Sequence, residues 1–520
     1  MANILIDDKP VEAQEGTTIL LAAEQAGIPI PHLCFHRAFT PEGSCRMCLV
    51  EIEGFPKLEL ACSTQVKEGM KIWTKSERVV EARKGVLEFL LAEHPLDCPI
   101  CDKAGECKLQ DYYEEYGHFE SQFKEYKEKK EKKLGIGKNL ILDRERCILC
   151  TRCIRFLREI TKTQELGMSN RGLHSEIDIY EKEMVDNHYS GNLAEICPVG
   201  AITDTDFRFK TRSWFLKKGD SICPLCSRGC NISIEYHPGF PRIPIKRRVY
   251  RITSRENPEV NSHWICDLGR YTYSYLDEDR LEDIISNNSN KGVKIDWENA
   301  LQFLVRKIKK LYYMKKTSRI FLIFHSSLTN EELFLVNKIF REDLKLEKIF
   351  MVDSNEGEGD DFLLSSERSS NRKGAQVMGI DSKLINLEEI ANKTDILIIF
   401  GNYLLDHFSP GEIKTALDKI ETTILFTSWK SELDTLVDLV LPTALVAEKR
   451  GSLTNIDGRV QYFLPVLEPV GASLPEWEIL VRLAKELKMN FTYYRQFKSP
   501  DKIFEKLERE IPFFSQKKND

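Results

Sequence analysis

His94, Cys98, Cys101 and Cys107 stand at H-x3-C-x2-C-x5-C within the stretch HPLDCPICDKAGECKLQ, residues 94–110. Imidazole and thiolate are the side chains that take zinc and iron–sulfur clusters. Fifteen cysteines occur in the chain, and an odd number cannot all pair as disulfides. Their spacing sorts them into groups. Cys34, Cys45, Cys48 and Cys62 read C-x10-C-x2-C-x13-C. The stretch above holds three more. Cys147, Cys150 and Cys153 read C-x2-C-x2-C, with Cys197-Pro198 following later. Cys223, Cys226 and Cys230 read C-x2-C-x3-C, with Cys266 later still. Three groups have four cysteines and one has three, so His94 supplies the donor that completes four four-ligand sites.

A C-x2-C pair alone suits zinc as well as iron. The triplets discriminate, because C-x2-C-x2-C opens the bacterial ferredoxin run, in which a remote Cys-Pro supplies a further ligand. Zinc sites more often use two separated pairs, so iron–sulfur is the reading taken and a zinc-stabilised scaffold is its rival. By itself, a histidine before proline at a helix end is a cap or a turn residue. The vacancy left by the cysteine count is what argues for ligation.

These donors need elements to hold them. The strand NILI, a turn at Asp7-Asp8-Lys9 and a second strand lead to the helix TTILLAAEQAG, with Thr17 as N-cap and Gly27 closing it. LVEIEG and KLELAC form a hairpin around Gly54, which puts Cys34, Cys45 and Cys48 on a loop and Cys62 at a strand end. This region resembles the plant-type ferredoxin fold, with the first spacing stretched. SERVVEARKGVLEFLLAEH, capped by Ser76, is a helix that delivers His94. KEYKEKKEKKLG, residues 124–135, reads as a solvated helix end or linker. EICPVGAI carries Cys197 in a ferredoxin-like tail. From about residue 295 cysteine is absent and strands alternate with helices, from RIFLIFH through DILIIFGN and TTILFTSW to EWEILVRLAKEL. That alternation argues a doubly wound parallel sheet.

The 520 residues, 42% hydrophobic and 30% charged, carry a net charge of −6, which disfavours a nucleic-acid partner. No apolar run is long enough for a membrane span and the start lacks a signal-peptide pattern, so the chain is expected in the cytoplasm. Gly135/Gly137 and Gly357/Gly359 lack the third glycine of a dinucleotide loop, so it is not expected to bind NAD itself.

The ordered series of four groups, together with EKRGSLTNIDGRVQ at residues 448–461, resembles the large iron–sulfur subunit family of bacterial NADH:quinone oxidoreductase, respiratory complex I. The resemblance implies a multidomain α+β and α/β chain. Residues 1–78 would be a [2Fe-2S] ferredoxin-like domain, 79–120 a [4Fe-4S] domain with one histidine and three cysteine ligands, and 138–215 a ferredoxin-like [4Fe-4S] domain. Residues 216–275 would be a [4Fe-4S] domain of molybdopterin-oxidoreductase type, and 276–520 a doubly wound scaffold. It implies one [2Fe-2S] cluster on the first group and three [4Fe-4S] clusters on the others. The chain would have no catalytic centre of its own and would pass electrons from a flavin- and NADH-binding partner through clusters toward other iron–sulfur subunits and quinone. The whole complex would couple this to proton translocation, with the chain peripheral on the cytoplasmic side of the inner membrane and touching the membrane arm only indirectly. By the same likeness, the third group and the His94 group carry the main path, the first feeds it and the fourth lies off it.

The last group plus the sheet region also resembles the front half of a molybdopterin oxidoreductase. That family places lysine and glycine after its last cluster cysteine, where this chain has Cys266-Asp267-Leu268-Gly269. With Leu268 in the lysine position, no molybdopterin is expected and GSLTNIDGRVQ reads as a turn packing the sheet; the alternative function is the iron–sulfur subunit of an NAD-linked formate dehydrogenase or hydrogenase, and Leu268 counts against the former, which needs that lysine. An iron-only hydrogenase would need a further cysteine set after Cys266.

Overall fold

The computed structural model describes residues 1–515 apart from 118–119, 122, 181–182, 240–246, 289–291 and 489. The chain divides into two compact units, Met1–Lys217 and Lys218–Asp520.

In the first unit, β1 (Ala2–Ile6) and β2 (Lys9–Ala13) make an antiparallel hairpin. Helix α1 (Ile19–Gln25) follows, capped by Thr18, whose hydroxyl accepts from Leu21 N. The expected cap, Thr17, is instead engaged through its backbone with Gln14 O and Val66 N. Gly27 closes the helix at φ +70°, a conformation that costs glycine little. Strands β3 (Leu49–Ile52), β4 (Glu59–Leu60) and β5 (Lys71–Trp73) complete a sheet of order β2-β1-β5-β3-β4. Ile19, Leu20, Ala22 and Ala23 of α1 bury against Ile4, Ile6, Val50 and Ile72 of that sheet. Loss of one such isoleucine to alanine costs about 2–5 kcal/mol.

Helix α2 (Glu77–Glu93) begins at Ser76 and ends at His94, as the sequence suggests. Helix α3 (Lys108–Tyr116) leads into a lysine- and glutamate-rich stretch, and residues 124–133 carry neither helix nor strand. The unit continues through β6 (Leu134–Gly137), β7 (Leu140–Leu142), α4 (Arg152–Arg155), β8 (Leu166–Ser169), β9 (Glu176–Ile179), α5 (Asn192–Ile196) and β10 (Ile202–Asp204). Strands β10, β7 and β6 form one small sheet, and β8 and β9 another.

The second unit starts with the sheet of β11 (Lys217–Ile222), β12 (Asn231–Tyr236) and β13 (Val249–Ser254), followed by α6 (Asp267–Tyr271). Its main sheet takes β14 (Ile284–Ser286), β15 (Val293–Ile295), β16 (Ile320–His325), β17 (Ile349–Val352), β18 (Ile396–Phe400), β19 (Thr422–Thr427) and β20 (Leu439–Pro442), in the order β15-β14-β20-β19-β18-β16-β17. The strands from β17 to β20 are parallel, while β14 and β15 form an antiparallel edge. Leu322 and Phe324 of β16 face one core, and Phe321 and Ile323 face another. A parallel strand buried on both sides reads as an unbroken apolar run rather than an alternation, which is the texture of RIFLIFH.

Candidate metal centres

The first group lies on the loop between α1 and β3 and just beyond β4, with all four cysteines buried. Arg46 holds φ +58° between Cys45 and Met47, turning the loop so that backbone N–H groups face sulfur. Leu33 N and Cys34 N both donate to Cys45 Sγ, at 3.4 and 3.3 Å. Cys34 and Cys45 share a hydrogen bond, as do Cys48 and Cys62. Within each pair that bond lowers the pKa of one thiol, Cys34 or Cys62, and raises that of the other. The pairs also feel one another's charge, Cys34 with Cys62 and Cys45 with Cys48.

In the second group, α2 delivers His94 at its C-cap position. Burial holds this imidazole down to about 4, so it is neutral near pH 7 and keeps a free lone pair. Its Nδ1 is buried and has no hydrogen-bond partner, the condition of a side chain waiting for a further group. Cys101 and Cys107 are buried and Cys98 is exposed. Beneath Cys101, Arg146 grips Asp97 through two bonds of 2.8 and 3.3 Å and lies 3.2 Å from Asp143. Gly105 takes φ +86° under Trp214 and Ser213, where a Cβ would clash.

The third group wraps the start of α4. Leu149 at φ +52° and Thr151 at φ +59° alternate with the cysteines, a geometry that turns successive N–H groups inward as a nest. Leu149 N donates to Cys147 Sγ at 3.4 Å. Cys197 comes from the C-terminal end of α5 and interacts electrostatically with Cys147, Cys150 and Cys153. Burial and the neighbouring thiols push Cys147 up to about 12 and Cys150 up to about 11.

The second and third groups interlock. Gly200, three residues after Cys197, lies directly on Cys101 Sγ, and Lys108 N donates to Pro198 O at 3.2 Å. The first and third are joined by two arginines of α4. Arg155 Nη2 donates to Cys34 O at 2.5 Å and to Cys150 O at 3.1 Å, and its Nη1 to Thr40 O at 2.9 Å. Arg152 donates to Phe35 O and, at 3.0 Å, to Ile196 O.

The fourth group belongs to the second unit. Cys223 N donates to Cys230 O at 2.9 Å. Cys266 caps α6, its Sγ accepting from Gly269 N at 3.4 Å. Cys223, Cys226, Cys230 and Cys266 interact electrostatically with one another, and burial is the main reason that Cys266 rises to about 11. GSLTNIDGRVQ is not a turn on the main sheet: it forms the hairpin of β21 (Gly451–Thr454) and β22 (Val460–Phe463). The tip of this hairpin braces the cysteine loop. Ile456 N donates to Ser227 O at 2.8 Å and Gln461 Nε2 to Gly229 O at 3.1 Å. Leu268 is half-buried beside Cys266. A cavity of about 270 Å³ opens where β16, β18 and β19 end, lined by Leu225, Tyr275, His325, Tyr403 and Trp429 among others. His325 and Tyr403 stack in it with centroids 3.4 Å apart.

The thiols within the first, third and fourth groups interact electrostatically with one another, as do Cys98 with Cys101 and Cys101 with Cys107 in the second, while His94 stands at the end of α2, where the charged groups acting on it are Asp97, Lys127, Arg146 and Lys132. Among the described residues, no three His, Cys, Asp or Glu donors meet tightly enough to hold a single metal ion. A cluster carries its ligands on different iron atoms, so its thiolates need not converge on one point. The residues fit such a group: mostly buried thiols, N–H donors aimed at sulfur, and an orphaned imidazole nitrogen. Sequence reasoning passed over the turn-making residues Arg46, Leu149 and Thr151 and the arginine pair. The available signal for that pair was two arginines three apart directly among the cysteines.

Four family models match parts of the chain. They are a 2Fe-2S iron–sulfur cluster binding domain over residues 1–77, an NADH-ubiquinone oxidoreductase-G iron–sulfur binding region over 83–122, an NADH-quinone oxidoreductase subunit 3 ferredoxin-like domain over 137–203, and a molybdopterin oxidoreductase over 348–486. The chain is 37% identical over 372 residues to the NADH-ubiquinone oxidoreductase 75 kDa subunit of Reclinomonas americana, covering 70% of this chain and 52% of that one. It is 35% identical over 416 residues to the G subunit of NADH-quinone oxidoreductase from Rickettsia bellii, covering 80% and 58%. Against the corresponding protein of Rickettsia conorii the identity is 38% over 342 residues, covering 66% and 49%. The chain spans about half the length of the curated relatives it matches. A solved structure of an NAD+-reducing [NiFe]-hydrogenase aligns at a TM-score of 0.38 with 31% identity, over 41% of this chain and 91% of that one; so partial a likeness carries no argument.

Proposed function

We propose that this chain is the iron–sulfur electron-transfer subunit of an NADH:quinone oxidoreductase, with one [2Fe-2S] cluster on Cys34, Cys45, Cys48 and Cys62 and [4Fe-4S] clusters on the other three groups. When bound, such clusters take up and release single electrons. The chain's own residues provide the cradles. Backbone N–H groups point at sulfur, burial excludes water, and His94 offers a neutral donor in place of a fourth thiolate. The observation that carries the reading is the packing of three donor groups in one unit, linked by Gly200 against Cys101 and by Arg155 between Cys34 and Cys150. Sites joined through single side chains suit electron transfer between them.

The reading includes partners that this chain does not contain: a flavin- and NADH-binding subunit, further iron–sulfur subunits, and a membrane arm reached indirectly. No helix among the described residues is long and apolar enough to cross a membrane; the reading puts the chain peripherally on the cytoplasmic side of the inner membrane. The fourth group, in the other unit, is read as lying off the main path. Leu268 beside Cys266 supports a scaffold without molybdopterin over a formate dehydrogenase subunit.

The test is iron analysis and low-temperature electron paramagnetic resonance on the purified native assembly. The reading expects about fourteen irons per copy of this chain from its clusters, reducible paramagnetic centres, a copurifying flavoprotein and no molybdenum. Colourless protein with stoichiometric zinc would support the scaffold alternative instead.

A further inference from the structure

The first and third cysteine groups are separated by two buried guanidinium groups. Arg152 is 7% exposed and Arg155 is 1% exposed. Their acceptors are the backbone carbonyls of Cys34, Phe35 and Thr40 on one side and of Cys150 and Ile196 on the other, with the Thr151 hydroxyl accepting from Arg155 Nε at 3.2 Å. Such carbonyls offer dipoles but no full negative charge. Among the described residues Arg152 has no carboxylate ion pair, and the groups that attract its charge are the thiols of Cys150, Cys197 and Cys34. Among the described residues Arg155 has one carboxylate partner, Glu42, 3.8 Å away on the surface, and its guanidinium lies 5.3 Å from the centre of the Phe39 ring. The gap between the second and third groups differs. There Arg146 is neutralised by Asp97 and Asp143.

A buried cation without a counter-ion is costly. Thiolate-ligated clusters are anionic and become more so by one charge on reduction, and nearby charge is one of the protein's levers on their potential. We propose that Arg152 and Arg155 form a cationic partition between the first and third groups, with the clusters as its counter-ions, and that this partition raises the reduction potentials of both clusters while fixing their two loops together. The inference rests on the cluster reading above. It assigns the arginines a positioning and tuning role, acting on both sites at once.

The experiment is a redox titration followed by electron paramagnetic resonance on the full chain in its native assembly, comparing wild type with Arg152→Gln and Arg152→Lys. Glutamine keeps a hydrogen-bond donor and loses the charge, while lysine keeps the charge and loses the fork. In Arg152→Gln the midpoints of the first- and third-group clusters should both fall, by about tenfold in the ratio of oxidised to reduced centres, ~59 mV for a one-electron couple. The fourth-group cluster, held in the other unit, should not move. Arg152→Lys should stay near wild type. An unchanged pair of midpoints in Arg152→Gln overturns the proposal, as does a lysine variant shifted as far as the glutamine one. If Arg152→Gln fails to load, Arg155→Gln and Arg155→Lys repeat the comparison. Loss of clusters in both glutamine variants with full loading in both lysine variants supports the counter-charge role, and loss in the lysine variants as well overturns it. Wild-type protein without reducible centres would sink the cluster reading itself, an outcome distinct from all of these.

Discussion

Gly200 and Cys101 touch: the backbone that follows Cys197 in the third group presses on a sulfur of the second, leaving no room for a Cβ. Gly200→Ala should therefore push the Cys101 sulfur aside without any cysteine being replaced. The expected result is loss or distortion of the His94-group signal, with up to about four irons missing. Overpacking of this kind costs about 1–3 kcal/mol. Iron analysis with resonance spectra would decide it, and an intact second-site spectrum would show that the loop gives way instead.

His94→Cys should keep a cluster and lower its potential, because a thiolate adds negative charge where the neutral imidazole stood. His94→Ala should lose or degrade it. A redox titration in which His94→Cys leaves every midpoint in place would return His94 to the role of a helix-end residue.

Cys230→Ala should abolish the fourth-group signal and leave the other three, since those cysteines lie in the first unit. The measurement is turnover per flavin in the assembled complex together with spectra. Near-normal turnover is expected; abolished turnover in assembled protein would put this site on the path.

Lys449 is buried and bonds Glu332 at 2.9 Å and Glu476 at 2.6 Å. Lys449→Met strands two carboxylates in the core and should destabilise the chain by about 3–5 kcal/mol. Thermal unfolding checks it, and a loss below about 1 kcal/mol, the scale of exposed pairs, would mean that water reaches the pair.

Glu331 is buried beside Ser452, whose N–H and hydroxyl donate to it at 3.0 Å each. Burial pushes its carboxyl up to about 7. A raised carboxyl binds its proton more tightly folded than unfolded, so its contribution is full in acid and is lost as pH rises from about 4.5 to about 7. Glu331→Gln should remove that decline and be more stable than wild type above pH 7, by up to ~3 kcal/mol. Denaturant midpoints across this window would reveal it; parallel wild-type and variant curves would contradict it.

The candidate donors could be picked out because ligand spacing is a local property: Cys147, Cys150 and Cys153 stand out by spacing, and the vacancy in the count points to His94. Helix α2 was legible from Ser76 to His94 because its cap and apolar period agree. What sequence did not disclose is long-range or conformational. Nothing in the letters of Leu149 or Thr151 marks a left-handed backbone, since neither type favours it. The antiparallel edge of β14 and β15 is too short to stand out. The hairpin at 451–463 looked like a packing turn because its partners, Ser227 and Gly229, lie far away in sequence.

The bonds from Arg155 to Cys34 and Cys150 have a consequence for synthesis on the ribosome. Domains fold as they emerge, N-terminal part first. The cradle around Cys34 nevertheless waits for a side chain made over a hundred residues later, and Cys101 waits for Gly200. The order in which these cradles are completed therefore differs from the order in which their cysteines are made. On the cluster reading, the first cradle is complete only once residue 155 has emerged and the second only once residue 200 has, so the three sites close within a short stretch of synthesis.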